Sequence, residues 1–278
     1  MNDTPHAIKD AASAAADLLA QADSLIIAAG AGMGIDSGLP DFRGPGGFWG
    51  VYPALGRAGI DFHDIANPHA FATQPRTAWG FYGHRLNLYR ATVPHEGFNI
   101  LRRIADRMPL GAFVFTSNVD GHFSKAGFSG DHIVECHGSI HYLQCSGACM
   151  GHIWPARCFT PDIDEENCHL FSDLPTCESC GSIARPNILM FGDWGWYSDR
   201  TDAQRQHFQA WRRGVERPVV IELGAGEAIP SVRDFSESQG CPIIRINPHD
   251  FRLRTEHGVA MACGALSGLQ AIELSIGA

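Results

Sequence analysis

The sequence predicts a doubly wound α/β fold: a parallel sheet with helices on both faces and a small inserted module. Three observations predict it. Short apolar runs stop at glycine or at polar loops. Helical patterns alternate with those runs. One cysteine-dense stretch breaks the alternation.

Ala7 to Ala22 has apolar residues at helical spacing and no breaker, so it predicts a helix. "SLIIAAG" is a continuous apolar run ending at Gly30, the pattern of a strand buried on both faces. The next twenty residues, "GAGMGIDSGLPDFRGPGGFW", hold seven glycines and two prolines. From Ser37 to Trp49 they predict a long loop, too irregular for a helix. Trp79 to Arg90 and Pro94 to Met108 read as helices, and "GAFVFTSN" (Gly111 to Asn118) as the second strand. "DHIVECHG" and "NILMFGD" are two further strand candidates. Asp202 to Arg213 is helical in pattern, and "PVVIELGAG" and "PIIRIN" complete the run of strands. Residues 139–185 hold six of the nine cysteines and no long periodic segment. They predict a module inserted between 1–138 and 186–278, with part of the helical segment 60–92 packing beside it.

Composition sets bounds. The 278 residues are long enough for one sizeable core plus a small module. Net charge of -9 argues against a nucleic-acid surface. The longest apolar run, around Leu25 to Ile35, is broken by glycines and too short for a bilayer. The N-terminus lacks the basic and apolar regions of a signal peptide. Nine cysteines in that setting predict a reducing, cytoplasmic compartment, where clustered thiols bind metal more often than they pair.

Three loops at predicted strand ends carry candidate chemistry, since ligands of open α/β sheets bind there. Gly30, Gly32 and Gly34 let backbone N–H groups approach a phosphate without a Cβ in the way. Arg43 could meet a phosphate or carboxylate, and Phe42 could stack on a ring. In "TSNVDG", Asn118 and Asp120 are separated by one residue, so an extended backbone points both to one side; Asp120 is equally well placed to cap a helix. His137 stands at a strand end before glycine, a general-base candidate with an intrinsic pKa of roughly 6.5. Cys145 and Cys149 are a C-x3-C pair and Cys177 and Cys180 a C-x2-C pair, with 27 residues between. Two such pairs can present four thiolates to a structural zinc. Cys158, Cys168 and His169 lie in the gap and could compete as ligands.

Together these pieces resemble the sirtuin family of NAD-dependent protein deacylases, from about Leu25 to about Asn247. The shared segments occur in family order: "GAGMGIDSGLPDFRG", "TSNVDG", the His137–Gly138 pair, the two cysteine pairs, "RPNILMFGD", "GAGEAIP" and "IN". The resemblance implies a Rossmann-like NAD domain and a zinc module. It assigns NAD contacts to Gly30, Ala31, Gly32, Asp41, Phe42, Arg43, Ser117, Asn118, Asp120, Gly224, Ala225, Gly226 and Asn247. His137 and Asn118 would be catalytic, and Phe191, Gly192 and Asp193 would meet an acylated protein or peptide. The implied reaction transfers the acyl group to ADP-ribose and releases nicotinamide. Tyr82 and Arg85 form a Tyr-x-x-Arg pair like that of members acting on succinyl- or malonyl-lysine. Residues three apart share a helix face, so phenol and guanidinium could grip an acyl carboxylate.

There are departures. The family commonly has serine where Gly34 stands, glutamine at Ser117, Thr-Ser at Ala225 and Gly226, and glutamate at Asp193. Those changes remove hydrogen-bonding capacity or reach. They leave open ADP-ribosyl transfer or NAD hydrolysis on the same fold, and a binding module without turnover.

Overall fold

The chain is described by a computed structural model that covers residues 4–40, 44–147, 149, 152–254 and 257–277. Strands β1 (Ser24–Ala29), β2 (Ala112–Thr116) and β3 (Ile133–Glu135) come first. Then come β4 (Gly138–Cys145), β5 (Ile153–Pro155), β6 (Ile163–Asp164), β7 (His169–Leu170) and β8 (Ala184–Ile188). Strands β9 (Pro218–Leu223), β10 (Ile243–Ile246) and β11 (Gly258–Met261) return to the first sheet. That sheet has the order β11-β10-β9-β1-β2-β3, and every pair in it is parallel.

The continuous apolar runs follow from burial on both faces. Every residue of β1 and of β9 is buried. Side chains alternate across the sheet. Leu25, Ile27 and Ala29 pack with Ala12, Leu19, Leu101, Leu269 and Ile272, which come from helices Thr4–Gln21, Glu96–Ala105 and Ala265–Ile276. Ile26 and Ala28 face the other way, onto Phe208 of the helix Asp199–Arg212 and Val232 of the helix Ser231–Ser238. The sheet therefore has helices on both sides, as the sequence predicts.

Two local expectations fail. The stretch after Gly30 is not all loop: Ala31–Ser37 forms a 3₁₀ helix and Gly44–Val51 an α-helix. Four glycines weaken the second helix, and the burial of Phe48 against Tyr52, Phe62 and Phe81, at 5.5–5.8 Å between ring centroids, offsets that cost. The strand expected at "NILMFGD" lies earlier, at Ala184–Ile188, and it leaves the parallel sheet. It pairs antiparallel with β4 in a three-stranded sheet of order β5-β4-β8, so the expected boundary after residue 185 falls inside a strand. Pro186 is tolerated because β8 is an edge.

Helix Pro75–Ala91 covers this second sheet. Trp79, Phe81, Tyr82 and Leu86 share a core with Ile140, Leu143, Leu170 and Ile188. The indole of Trp79 donates to the Ala184 carbonyl at 2.9 Å.

The far end of this unit is held by cysteine. Cys145, Cys149, Cys177 and Cys180 bring their sulfurs within 4.8 Å of one another. Cys145 to Cys180 and Cys149 to Cys177 are each 3.5 Å apart. Zinc with four thiolates at about 2.3 Å needs sulfurs about 3.8 Å apart, so the cluster fits that ion. Gly147 N–H points at the Cys145 sulfur at 3.2 Å. Hydrogen bonds from Ser182 pull the Cys180 thiol down to about 6, which favours the ligating thiolate. Cys158 is exposed and outside the cluster, and Cys168 is buried elsewhere, with its thiol pushed up to about 12 by burial. Among the described residues no helix is long and apolar enough to cross a membrane.

A zinc held by these four thiolates would close a segment with little core of its own. Purified protein should carry one zinc per chain by elemental analysis. Stripping it with a chelator should lower the melting temperature, because ligands that cluster only when folded convert metal binding into folding free energy. A zinc-free protein with an unchanged melt would show that the four thiols act without metal.

Candidate active site

Strands β1 and β9 are neighbours at the middle of the sheet, and the connections after them leave in opposite directions. This is the switch point where open α/β sheets form a crevice. Two glycine loops meet there. Gly32 N–H donates to the Gly224 carbonyl at 3.0 Å. A Cβ on Gly32 would lie 2.6 Å from Gly224 Cα, so the loops touch backbone to backbone. Gly30, Ala31, Ala225 and Gly226 line a cavity of about 980 Å³ beside this contact. Gly32 and Gly224, expected as cofactor contacts, form the joint beside that lining.

Strand β2 delivers Ser117, Asn118 and Asp120 to the same cavity. Ser117 N–H donates to the Ala29 carbonyl at 3.1 Å. Asn118 Nδ2 donates to the Gly30 carbonyl at 3.0 Å, and so braces the first glycine loop. Asp120 Oδ1 accepts from His122 N–H at 2.8 Å, an Asx turn just ahead of the short helix His122–Lys125, whose N-cap is Gly121 and not Asp120. Asn247 is buried outside the lining. Its Nδ2 donates to the Ala225 carbonyl at 3.0 Å, while its Oδ1 accepts from His249 and Asp250 N–H, each at 2.9 Å. In this structure it joins two loops. Asp41, Phe42 and Arg43 lie outside the described residues.

His137 follows β3 and lines the cavity. Its Nε2 is 3.2 Å from the Ser231 hydroxyl. Burial holds its imidazole below the ordinary histidine range; a bond to the Ser117 backbone opposes that shift, and the charge of Arg205 adds to it. The ring is therefore neutral near pH 7 and able to take a proton. The His137 carbonyl accepts from Leu189 N–H at 2.9 Å, which ties the residue after β3 to the part of the cavity lining formed by Ile188 to Phe191.

Tyr82 and Arg85 close the far end. Burial pushes the Tyr82 phenol up to about 12, so it is a neutral donor. Arg85 donates from Nε and Nη2 to the Tyr89 hydroxyl at 3.0 and 2.7 Å. Its guanidinium carbon lies 5.2–5.7 Å from the ring centroids of Phe81, Tyr82 and Tyr89. The sequence reading missed Tyr89, though its place four residues after Arg85 on one helix was a usable signal. Phe191 lines the cavity, with N–H bonded to the Ala66 carbonyl at 2.9 Å and ring centroid 4.2 Å from that of His63. Gly192 makes the turn after it at φ 63°. Asp193, expected to meet peptide, turns inward: its fully buried carboxylate pairs with Arg185 at 2.8 Å and accepts Gly195 N–H at 3.1 Å. It orders the loop and does not face the cavity.

The cavity fits an extended nucleotide cofactor. Its volume is at the upper end of the roughly 300–1,000 Å³ usual for such sites. One end has side-chain-free backbone at a switch point; the other has aromatic and apolar walls with two converging polar groups.

Comparison with known proteins agrees with this architecture. The Sir2 family profile matches residues 30–209. A protein from Aquifex aeolicus named NAD-dependent protein deacylase is 26% identical, over 82% of this chain and 84% of its own. One of the same name from Aeropyrum pernix is 28% identical, over 85% and 86%. A solved Sir2 homologue–NAD complex superposes with TM-score 0.69 at 23% identity, covering 94% of this chain and 93% of that one. A Sir2 complex with deacetylated p53 peptide and 3'-O-acetyl ADP-ribose gives 0.64 at 20% identity, covering 93% and 96%. The fold is shared with both, and the chain belongs to the Sir2 family.

Proposed function

We propose that this chain is an NAD-dependent protein-lysine deacylase, with His137 as general base and with Tyr82 and Arg85 favouring acyl groups that carry a carboxylate. The observation that carries the reading is that Gly30, Asn118, His137, Tyr82 and Arg85 line one cavity. The names borne by the relatives support the same activity. Nine cysteines, four of them gathered as metal ligands, suit a reducing cytoplasmic setting.

NAD, when bound, supplies an ADP-ribosyl group whose ribosyl carbon becomes electrophilic as nicotinamide leaves. The backbone at Gly30, Ala31, Ala225 and Gly226 would hold it, and Asn118 would brace the first of those loops. His137 takes a proton from a hydroxyl in the cavity, which its neutral ring permits. The acyl-lysine would enter past Ile188 to Phe191, where main-chain groups of a partly open segment can pair with a peptide. The acyl tail would then end at Tyr82 and Arg85. A buried guanidinium suits a carboxylate through its planar donor fork.

Mass spectrometry after incubation with NAD and acetyl-, malonyl- and succinyl-lysine peptides separates the outcomes. O-acyl-ADP-ribose supports deacylation. Free ADP-ribose or ADP-ribosylated protein would favour hydrolysis or transfer, for which the absence of side-chain donors at Ala225 and Gly226 leaves room. His137→Ala should lose at least ~10²-fold in deacylation while still binding NAD, the usual cost of removing a general base. Arg85→Met should lower kcat/KM for succinyl-lysine by ~10- to 100-fold, the worth of a hydrogen bond to a charged group, and leave deacetylation within a few-fold. Equal losses on both acyl groups would make Arg85 a packing residue.

A further inference from the structure

We propose that Ser231 is a positioning residue for His137, accepting the Nε2–H of the ring once it has taken a proton. The inference rests on the reading of His137 as base.

Ser231 comes from the connection after β9, distant in sequence from His137. It opens the helix Ser231–Ser238, directly after the loop from Glu227 to Ile229 that walls the cavity. Its hydroxyl stands 3.2 Å from His137 Nε2. A serine hydroxyl can donate or accept, so the pair stays bonded whichever way the proton lies. A protonated imidazole has two N–H groups to satisfy. The surroundings offer two acceptors: the Ser117 backbone and the Ser231 hydroxyl. With both made, the buried imidazolium is fully bonded. With Ser231 removed, one N–H has lost its partner in a site closed to much of the solvent.

The proton count is simple. A hydroxyl in the cavity loses its proton to His137 Nε2. The Ser231 O–H turns away and its oxygen accepts the new N–H. No bond to Ser231 forms or breaks. The charge-assisted bond is stronger than the neutral one it replaces, so Ser231 makes His137 a better base. Burial and the Arg205 guanidinium act in the opposite sense. Asp120, Glu227 and Asp250 line the same cavity and are unchanged by the substitution.

The test is the pH profile of kcat/KM for wild type, His137→Ala, Ser231→Ala and Ser231→Thr, on one acyl peptide with NAD. The acid limb reports the free enzyme's base. Ser231→Ala should reduce kcat roughly tenfold, the cost of leaving a buried donor unpaired. It should also move the acid limb down by about 0.5–1 pH unit, because the protonated ring loses a partner. Ser231→Thr, which keeps the hydroxyl, should restore both. A Ser231→Ala enzyme with wild-type kcat and an unmoved limb overturns the proposal. So does a fall in rate with an unmoved limb that threonine fails to restore, because that signature belongs to a disturbed helix. If His137→Ala retains deacylation, the base assignment fails, and the role proposed for Ser231 fails with it; if only Ser231→Ala is silent, His137 stands alone.

Discussion

Gly32 lies against Gly224 with no room for a side chain between them, and the cavity takes its shape from that contact. The two residues follow the two central strands, and their loops diverge from the point where they touch. A Cβ on either would drive backbone from backbone, not from a yielding side chain. Gly30 and Ala225 then sit on either side of a single floor. Asn118 braces one of the loops and Asn247 the other, each through its carboxamide. The glycines after β1 thus have two uses. One gives a ligand access to bare backbone, and the other lets two loops join behind it.

The second constraint is the junction between sheets. The chain leaves the parallel sheet at β3 and enters the antiparallel one at β4, with only Cys136 and His137 between. Gly138 takes φ 78°, and a Cβ there would sit 2.1 Å from the Asn187 carbonyl. The turn therefore needs glycine, and it places His137 where the two units meet. Its ring reaches Ser231 of one unit while its carbonyl holds Leu189 of the other. A base at such a junction can meet a cofactor bound over one sheet and a peptide lying along the other.

Much of this was legible in the sequence. Runs such as "SLIIAA" and "PVVIEL" are mostly apolar, with only Ser24 and Glu222 polar, because both faces of the central strands are buried. The paired cysteines were legible because short spacing on tight turns already brings two ligands together. What stayed hidden depends on contacts distant along the chain. Asn247 and Asp193 look like ligand contacts by position. Only the folded chain shows Asn247 joining loops and Asp193 paired with Arg185, eight residues earlier on a strand the sequence reading misplaced. The helix Gly44–Val51 was unreadable because its glycines argue against it, and its support comes from Phe62 and Phe81. Ser231 had no local mark at all: its partner is 94 residues away.

The placement of charge separates frame from chemistry. Arg185 with Asp193 and Arg245 with Glu222 are buried pairs in which two donors meet two acceptors. Such pairs add little net stability, because desolvation consumes most of the attraction, but they fix geometry strongly. Both are outside the cavity lining. Beside His137 the hydrogen-bonding partners are a backbone group and a hydroxyl. This difference suits a group that must gain and lose a proton. A carboxylate in the place of Ser231 would hold the imidazole protonated and unable to act as a base. An apolar side chain there would leave the imidazolium unpaired and the base too weak. A hydroxyl avoids both faults, since it bonds the ring in either state and carries no charge of its own.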